Sequence, residues 1–315
     1  MRILGAVVCL TVAVGLLSGC SPQARAPQPT RSPTSAAPTP RPTPTDDPDF
    51  TQPGVARSMV DTLMDAAGAT DAVMVAIARH EIRVAVVTDG AIETWAYRDG
   101  RVGTVESDIV DVAQAAFTPG DYALDDIGSL FRAAHAVAGS NASQELQIVD
   151  YSGGVVAMTV TTTPESRTVF FTPDGRLVPT LDPTTEWGIS DAYAEALGDR
   201  MSATQVVFSS DEGAYLQTTD AEAGTITRYQ RAPRTPLLIT TRTETSALPP
   251  MDPRTVRPEV VWDVLAEAHH DGDFRYDEAW TCVIDDREGI GVARMYFQLG
   301  SADPFTTTLD GDRVR

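Results

Sequence analysis

Four histidines, three cysteines and a run of carboxylates near the C-terminus are the residues from which this sequence could build chemistry. The histidines are His80, His135, His269 and His270. Two of them open the densest cluster, His269-His270-Asp271-Gly272-Asp273, with Asp277-Glu278 shortly after. Imidazoles and carboxylates together can hold a divalent metal, which makes His269, His270, Asp271 and Asp273 candidate ligands. Adjacent helical residues point about 100° apart, however, and rarely reach one ion. The spacing also lacks the twelve-residue calcium-loop pattern. A helix end explains the segment better: imidazoles in a last turn suit the helix dipole, and Gly272 supplies a left-handed stop. No metal and no cofactor are therefore expected.

Other chemistry is excluded more simply. There is no Gly-x-Ser-x-Gly elbow and no glycine-rich phosphate loop. The sequence contains no lysine, so its 24 basic residues are all arginine. Lysine Schiff bases and Ser-x-x-Lys acylation are thereby ruled out. The formal charge of −20 argues against nucleic acid and against electrostatic binding to an anionic membrane. A hydrolase would need a cleft that joins a nucleophile or metal to an acid or base, and no motif for one is present. The expected protein is not an enzyme.

The cysteines give a sharper signal. Arg2 precedes an apolar run from Ile3 to Leu17, and Leu17-Ser18-Gly19-Cys20 follows. A basic start, a short apolar core and small residues before a cut point make a secretory signal peptide. The run falls short of the roughly 20 residues a spanning helix needs. The Leu-Ser-Gly-Cys ending resembles the lipobox of bacterial lipoproteins. In that family a diacylglyceryl group is added to the cysteine thiol and the chain is cut just before it. The resemblance implies that the signal region 1–20 is cut just before Cys20, and that Cys20, then the first residue, carries the lipid. It implies anchoring on the extracytoplasmic face of the cell membrane, since two acyl chains hold where one is marginal. Cys9 would leave with the signal. Cys282 then has no partner for a disulfide and reads as a buried, inert thiol on a strand face shared with Trp280 and Ile284.

Residues 21–53 hold ten of the 22 prolines, with repeated Thr, Ser and Ala. That composition cannot bury a core, so a disordered tether with polyproline character is expected, at most about 100 Å long. It would hold the body off the membrane or thread a cell wall.

The elements of the body come next. Four amphipathic helices are expected, over Ala56–Ala67, Asp126–Ala138, Ser190–Met201 and Pro258–His270. Short strands follow each one: 72–79, 82–88 and 91–97; 146–150, 155–163 and 167–172; 205–210, 214–219, 225–231 and 237–243; 280–285, 290–299 and 305–309. Asp-Gly, Ser-Gly-Gly, Asp-Glu-Gly and Arg-Glu-Gly breaks between them are hairpin chemistry. The pattern predicts an α+β class with about four repeats of one helix and an antiparallel meander. Pairs of units would share a core, giving one lobe over 54–186 and another over 187–315. The order of units resembles the helix-and-meander modules of small bacterial envelope lipoproteins and β-lactamase-inhibitor-like proteins. A single curved sheet, like that of lipid-carrier lipoproteins, is the other arrangement considered.

Function follows from these elements only in outline. Later strands of the units present Trp95, Tyr97, Phe171, Tyr229 and Tyr296, a candidate binding surface if one sheet face is left uncovered. The expectation is a membrane-anchored envelope lipoprotein acting as a non-enzymatic binding or adaptor module. Its partner would be an envelope protein or a cell-wall component. The alternative is a lipid or small-molecule carrier, which needs a deep apolar cavity. Residues 54–315 carry a net charge of −21, read as solubility and as repulsion from the anionic membrane surface.

Overall fold

The structure is a computed structural model that describes residues 47–107, 109, 113–164 and 167–314. The expected signal peptide, Cys20 and the expected tether up to residue 46 lie outside the described residues.

Local sequence sets most element ends. Helix α1 (Val55–Ala67) stops at Gly68, whose left-handed backbone lets its N–H and that of Ala69 reach the carbonyls of Asp65 and Met64. Helix α2 (Ile127–Ala138) is capped by Asp126, which accepts the Ser129 N–H at 2.9 Å. Helix α3 (Glu186–Leu197) is capped by Thr185, which accepts the Gly188 N–H at 3.0 Å. This helix starts four residues before the expected Ser190 cap. Thr185 with Glu186 in the first turn is the stronger start, and Gly198 ends the helix before Met201. Helix α4 (Pro258–Asp271) begins on proline and ends at the left-handed Gly272.

The described residues contain fourteen strands. The first seven are β1 (Met74–Ala78), β2 (Ile82–Thr88), β3 (Ala91–Arg98), β4 (Arg101–Val105), β5 (Glu145–Ser152), β6 (Val155–Thr161) and β7 (Val169–Phe171). They form one antiparallel sheet in the order β4-β3-β2-β1-β5-β6-β7. The second seven are β8 (Gln205–Ser209), β9 (Gly213–Asp220), β10 (Thr225–Arg231), β11 (Leu237–Thr243), β12 (Trp280–Asp285), β13 (Arg294–Leu299) and β14 (Phe305–Thr307). Their order is β11-β10-β9-β8-β12-β13-β14.

This overturns the expected α+β class of four helix-plus-meander repeats. The fold is mostly β, built as two seven-stranded sheets. Strand β1 pairs with β5 as well as β2, and β8 pairs with β12 as well as β9. The first strand of each supposed unit is thus central in a larger sheet. A separate meander would have left that strand one row of unpaired amides. Strand β4 was not expected. It is short, polar and half-exposed, so periodicity alone did not mark it.

Each sheet carries its helices on one face. Under α1 and α2, Val75 and Ile77 of β1, Ile82, Val84 and Val86 of β2, and Leu146 and Ile148 of β5 form the first core with Leu63 and Phe131. Under α3 and α4, Val206 and Phe208 of β8, Trp280, Cys282 and Ile284 of β12, and Met295 and Phe297 of β13 form the second core with Tyr193 and Leu265. A smaller cluster, Val73, Met74, Ala76 and Ala85, lines the opposite face of the first sheet.

The folded body begins before the expected boundary at residue 53. Phe50 is fully buried in the first core, and its N–H donates to the Arg79 carbonyl at 2.9 Å. It is the one large apolar side chain in the proline-rich stretch. Both sheets belong to one compact unit. Ser152, at the β5–β6 tip, donates to the Ile239 carbonyl of edge strand β11 at 2.5 Å, and Gly153 passes so close that a Cβ there would lie 2.6 Å from that oxygen.

Candidate binding surface

The histidine cluster behaves as a helix end. His269 has a ring nitrogen 3.0 Å from the Phe274 carbonyl, and its ring packs 4.2 Å from Tyr276. His270, Asp271 and Asp273 are exposed. Among the described residues no three His, Cys, Asp or Glu side chains gather closely enough to hold a metal. His80 lies at the β1–β2 turn, and His135 is exposed on α2.

The carboxyls with displaced pKa values sit in surface ion pairs. Asp49 is held down at about 2, chiefly by the Thr51 hydroxyl and also by Arg79. Asp252 is held at about 2 by the Arg254 guanidinium, and the Arg275 side chain lowers Asp277. A lowered carboxyl stays ionised and is a poor general acid at neutral pH. Cys282 is buried among the second core, and burial pushes its thiol well up, which suits packing and not nucleophilic attack.

The five aromatic candidates do not share a surface. Side chains alternate across a strand, so pairing partners assign each one a face. Trp95 pairs with Val84 and Tyr97 with Ile82, both members of the first core. Tyr97 meets buried Phe50 edge-on at 5.5 Å. Phe171 is buried in the same core. Tyr229 pairs with Leu216 on the helix side of the second sheet, where Arg200 covers its ring at 3.4 Å. Only Tyr296 lies on the side opposite the helices, beside Val283. Grouping them by place in the strand sequence concealed this difference in parity.

Around Tyr296 the second sheet presents a face on which neither α3 nor α4 packs. Its middle row runs Thr306, Tyr296, Val283, Val207, Tyr215 and Gln230 across six strands. Guanidiniums cap the two rings: Arg228 lies 3.5 Å over Tyr215, and Arg287 lies 3.7 Å over Tyr296. Burial raises the pKa of both phenols. The arginines are held in turn. Arg287 grips Asp285 with two bonds of 2.8 and 3.0 Å, and Gln205 donates to the same carboxylate at 3.1 Å. Arg228 pairs with Glu212 at 2.9 Å and Arg294 with Glu288 at 3.0 Å. Arg242 pairs with Glu244. Four arginines thus meet four carboxylates, and a strongly acidic body carries a locally neutral, hydrogen-bonding face.

The alternation that builds this face is visible in the sequence. Thr281, Val283 and Asp285 interleave with core-facing Trp280, Cys282 and Ile284, and Arg294, Tyr296 and Gln298 with Met295, Phe297 and Leu299.

Hollows elsewhere are open or very small. An open one of about 890 Å³ lies at the end of the first sheet among Arg79, His80, Glu81, Arg98, Arg132 and Glu145. The enclosed apolar cavity beside Ile189, Phe208 and Trp280 measures about 10 Å³, room for a single water. The described residues contain no helix long and apolar enough to cross a membrane. The chain matches no protein-family model and no curated protein.

Proposed function

We propose that this protein is a lipid-anchored, extracytoplasmic binding module, not an enzyme, that engages a folded envelope protein through the helix-free face of its second sheet. The anchor rests on Leu17-Ser18-Gly19-Cys20 behind a basic and apolar leader. The binding role is carried by one observation. A sheet face rich in Arg, Tyr, Gln and Thr is left without helices, whereas Trp95, Tyr97, Phe171 and Tyr229 lie on the helix sides of their sheets. Arginine and tyrosine are the residue types most enriched at the energetic centres of protein interfaces.

The capped rings favour a protein over a wall glycan. Sugar stacking needs a bare aromatic face, and here guanidiniums occupy both. The carrier alternative calls for an apolar chamber, and a cavity of about 10 Å³ gives it no support.

The test is photo-crosslinking in intact cells from a reactive side chain placed at Gln217, in the middle of the face, against one at Arg101 on β4. A discrete protein adduct from position 217 and none from 101 is expected. Equal or absent adducts would remove the face from the proposal.

A further inference from the structure

The helix side of the second sheet holds a separate arrangement, away from the helix-free face. Trp280, the first residue of β12, is 2% exposed, and its buried indole N–H meets no hydrogen-bond partner among the described residues. A buried donor left unmade is costly, so an acceptor that reaches this ring gains the full value of the bond. Trp280 lines the cavity of about 10 Å³ together with Ile189 and Ala192 of α3 and Phe208 of β8. Those walls are apolar, and the space takes one atom the size of an oxygen.

Leu181, Pro183 and Pro233 line both this cavity and an open hollow of about 570 Å³, so the cavity is the inner end of a larger recess. Such a volume lies in the range of small-ligand sites. Three loops bound the hollow: residues 180–183 between the sheets, Ser210 and Asp211 of the β8–β9 turn, and residues 232–235 of the β10–β11 turn. Bonds between them fix the walls. The Leu181 N–H donates to the Pro233 carbonyl at 2.9 Å, the Ser210 N–H to the Trp280 carbonyl at 3.1 Å, and the Trp280 N–H to the Ser210 hydroxyl at 3.3 Å. Gly188 and Gly213 sit in the cavity wall, where a Cβ would collide with the carbonyl oxygens of Asp182 and Arg231. The recess is therefore pre-formed, and a ligand need not order it.

Its remaining polar groups are also uncommitted. The Thr235 hydroxyl is buried in the hollow wall without a partner. Arg234 stands exposed at the rim, and among the described residues it has no ion-pair or hydrogen-bond partner. Asp182 and Asp211 share that rim with no arginine of their own. Asp182 accepts the Thr184 N–H at 2.8 Å and the Thr184 hydroxyl at 2.6 Å, and Asp211 accepts the Ser210 hydroxyl at 3.4 Å. The recess thus offers a neutral donor deep among apolar walls and charge of both signs outside.

From this arrangement we infer that the recess binds a short peptide, with one carbonyl oxygen accepting from the Trp280 indole, the C-terminal carboxylate on Arg234 and the ammonium toward Asp182 and Asp211. Apolar walls exclude a charged atom beside the indole, so the deep acceptor is neutral. A peptide carries neutral carbonyls between two charged ends. A fatty chain lacks both charges, and a neutral glycan would leave Arg234 unused. The inference does not rest on the reading of the helix-free face, and either can fail alone.

The test is nuclear magnetic resonance of the full lipidated chain in detergent micelles, with isotope-labelled indoles. There are four tryptophans, and Trp280→Phe identifies the Trp280 signal. Trp95 is the internal control, since its buried indole N–H in the first sheet also lacks a partner. The probe is tri-alanine with free termini, which at about 16 heavy atoms should bind with a Kd on the order of 1 mM. It should shift the Trp280 signal saturably and leave Trp95 in place. Arg234→Gln should weaken binding about tenfold, and so should amidation of the tri-alanine C-terminus. The amidated peptide should bind the parent and Arg234→Gln alike, because both changes remove the same contact. A Trp280 signal that tri-alanine leaves unmoved, or that moves equally with Trp95, would overturn the site. A shift indifferent to Arg234→Gln, or one produced by chitobiose and not by tri-alanine, would overturn the peptide as its ligand.

Discussion

Asp49 shows how single side chains fix where the fold begins. Its carboxylate accepts the Thr51 N–H at 3.0 Å and the Thr51 hydroxyl at 2.5 Å, and Arg79 donates to the other oxygen at 2.8 Å. These bonds hold Phe50 at the core, and they are why Asp49 titrates near 2. Its pKa lies below the ordinary value of about 3.9, so the stabilisation is complete above that pH and is lost as pH falls through about 2. Comparing thermal midpoints of the protein and Asp49→Asn against pH should show a constant gap above about pH 5 that closes between about pH 4 and pH 2. A gap unchanged across that range would mean the carboxylate is not titrating as described. Residue-level signals were only partly legible beforehand. Phe50 was visible as a lone apolar side chain among prolines, yet nothing local announced that a carboxylate and an arginine 30 positions apart would fasten it. The helix-end reading of His269 and His270 needed only Gly272.

At the scale of elements, helix and strand positions were largely readable from period and caps, and sheet membership was not. Strands β10, β11 and β12 run as the pattern predicts, over 225–231, 237–243 and 280–285. The pairing of β1 with β5 spans more than 60 residues and has no local signature. Arg231 illustrates how such distant segments are locked. It is fully buried, pairs with Glu195 of α3 at 2.7 Å, and donates to the carbonyls of Pro179, Ala232 and Thr235. One guanidinium thereby joins the connection between the sheets to α3 and to the β10–β11 turn. Arg231→Met would take the donors from three carbonyls gathered around a fully buried side chain and should cost on the order of 3 kcal/mol in urea unfolding. Arg231→Lys should recover little, since an ammonium cannot match the planar fork. Glu195 is 44% exposed, so Glu195→Gln should stay within about 1 kcal/mol. A Met variant as stable as the parent would show that the carbonyls find other partners.

Across the whole molecule, charge is distributed more sharply than the sequence totals indicate. Moving the start of the body to Asp47 leaves it with 43 of the 44 acidic residues and 20 of the 24 arginines. That body is more acidic than the earlier boundary allowed, and its helix-free face, with paired charges, stands out as the place where another acidic molecule can come close. The face could be anticipated strand by strand from alternation. Its assembly across six strands could not, because register and strand order are set by contacts far apart in sequence. A body this acidic gains nothing from an anionic bilayer, so the proposed membrane attachment rests on the lipid of Cys20. The mature N-terminus of the protein purified from membranes decides this directly by mass spectrometry. The expected result is a first residue of Cys20 bearing a thioether-linked diacylglyceryl group, and a Cys20→Ala chain absent from the membrane fraction. An unmodified Cys20, or a Cys20→Ala chain that remains in the membrane, would contradict the lipid anchor.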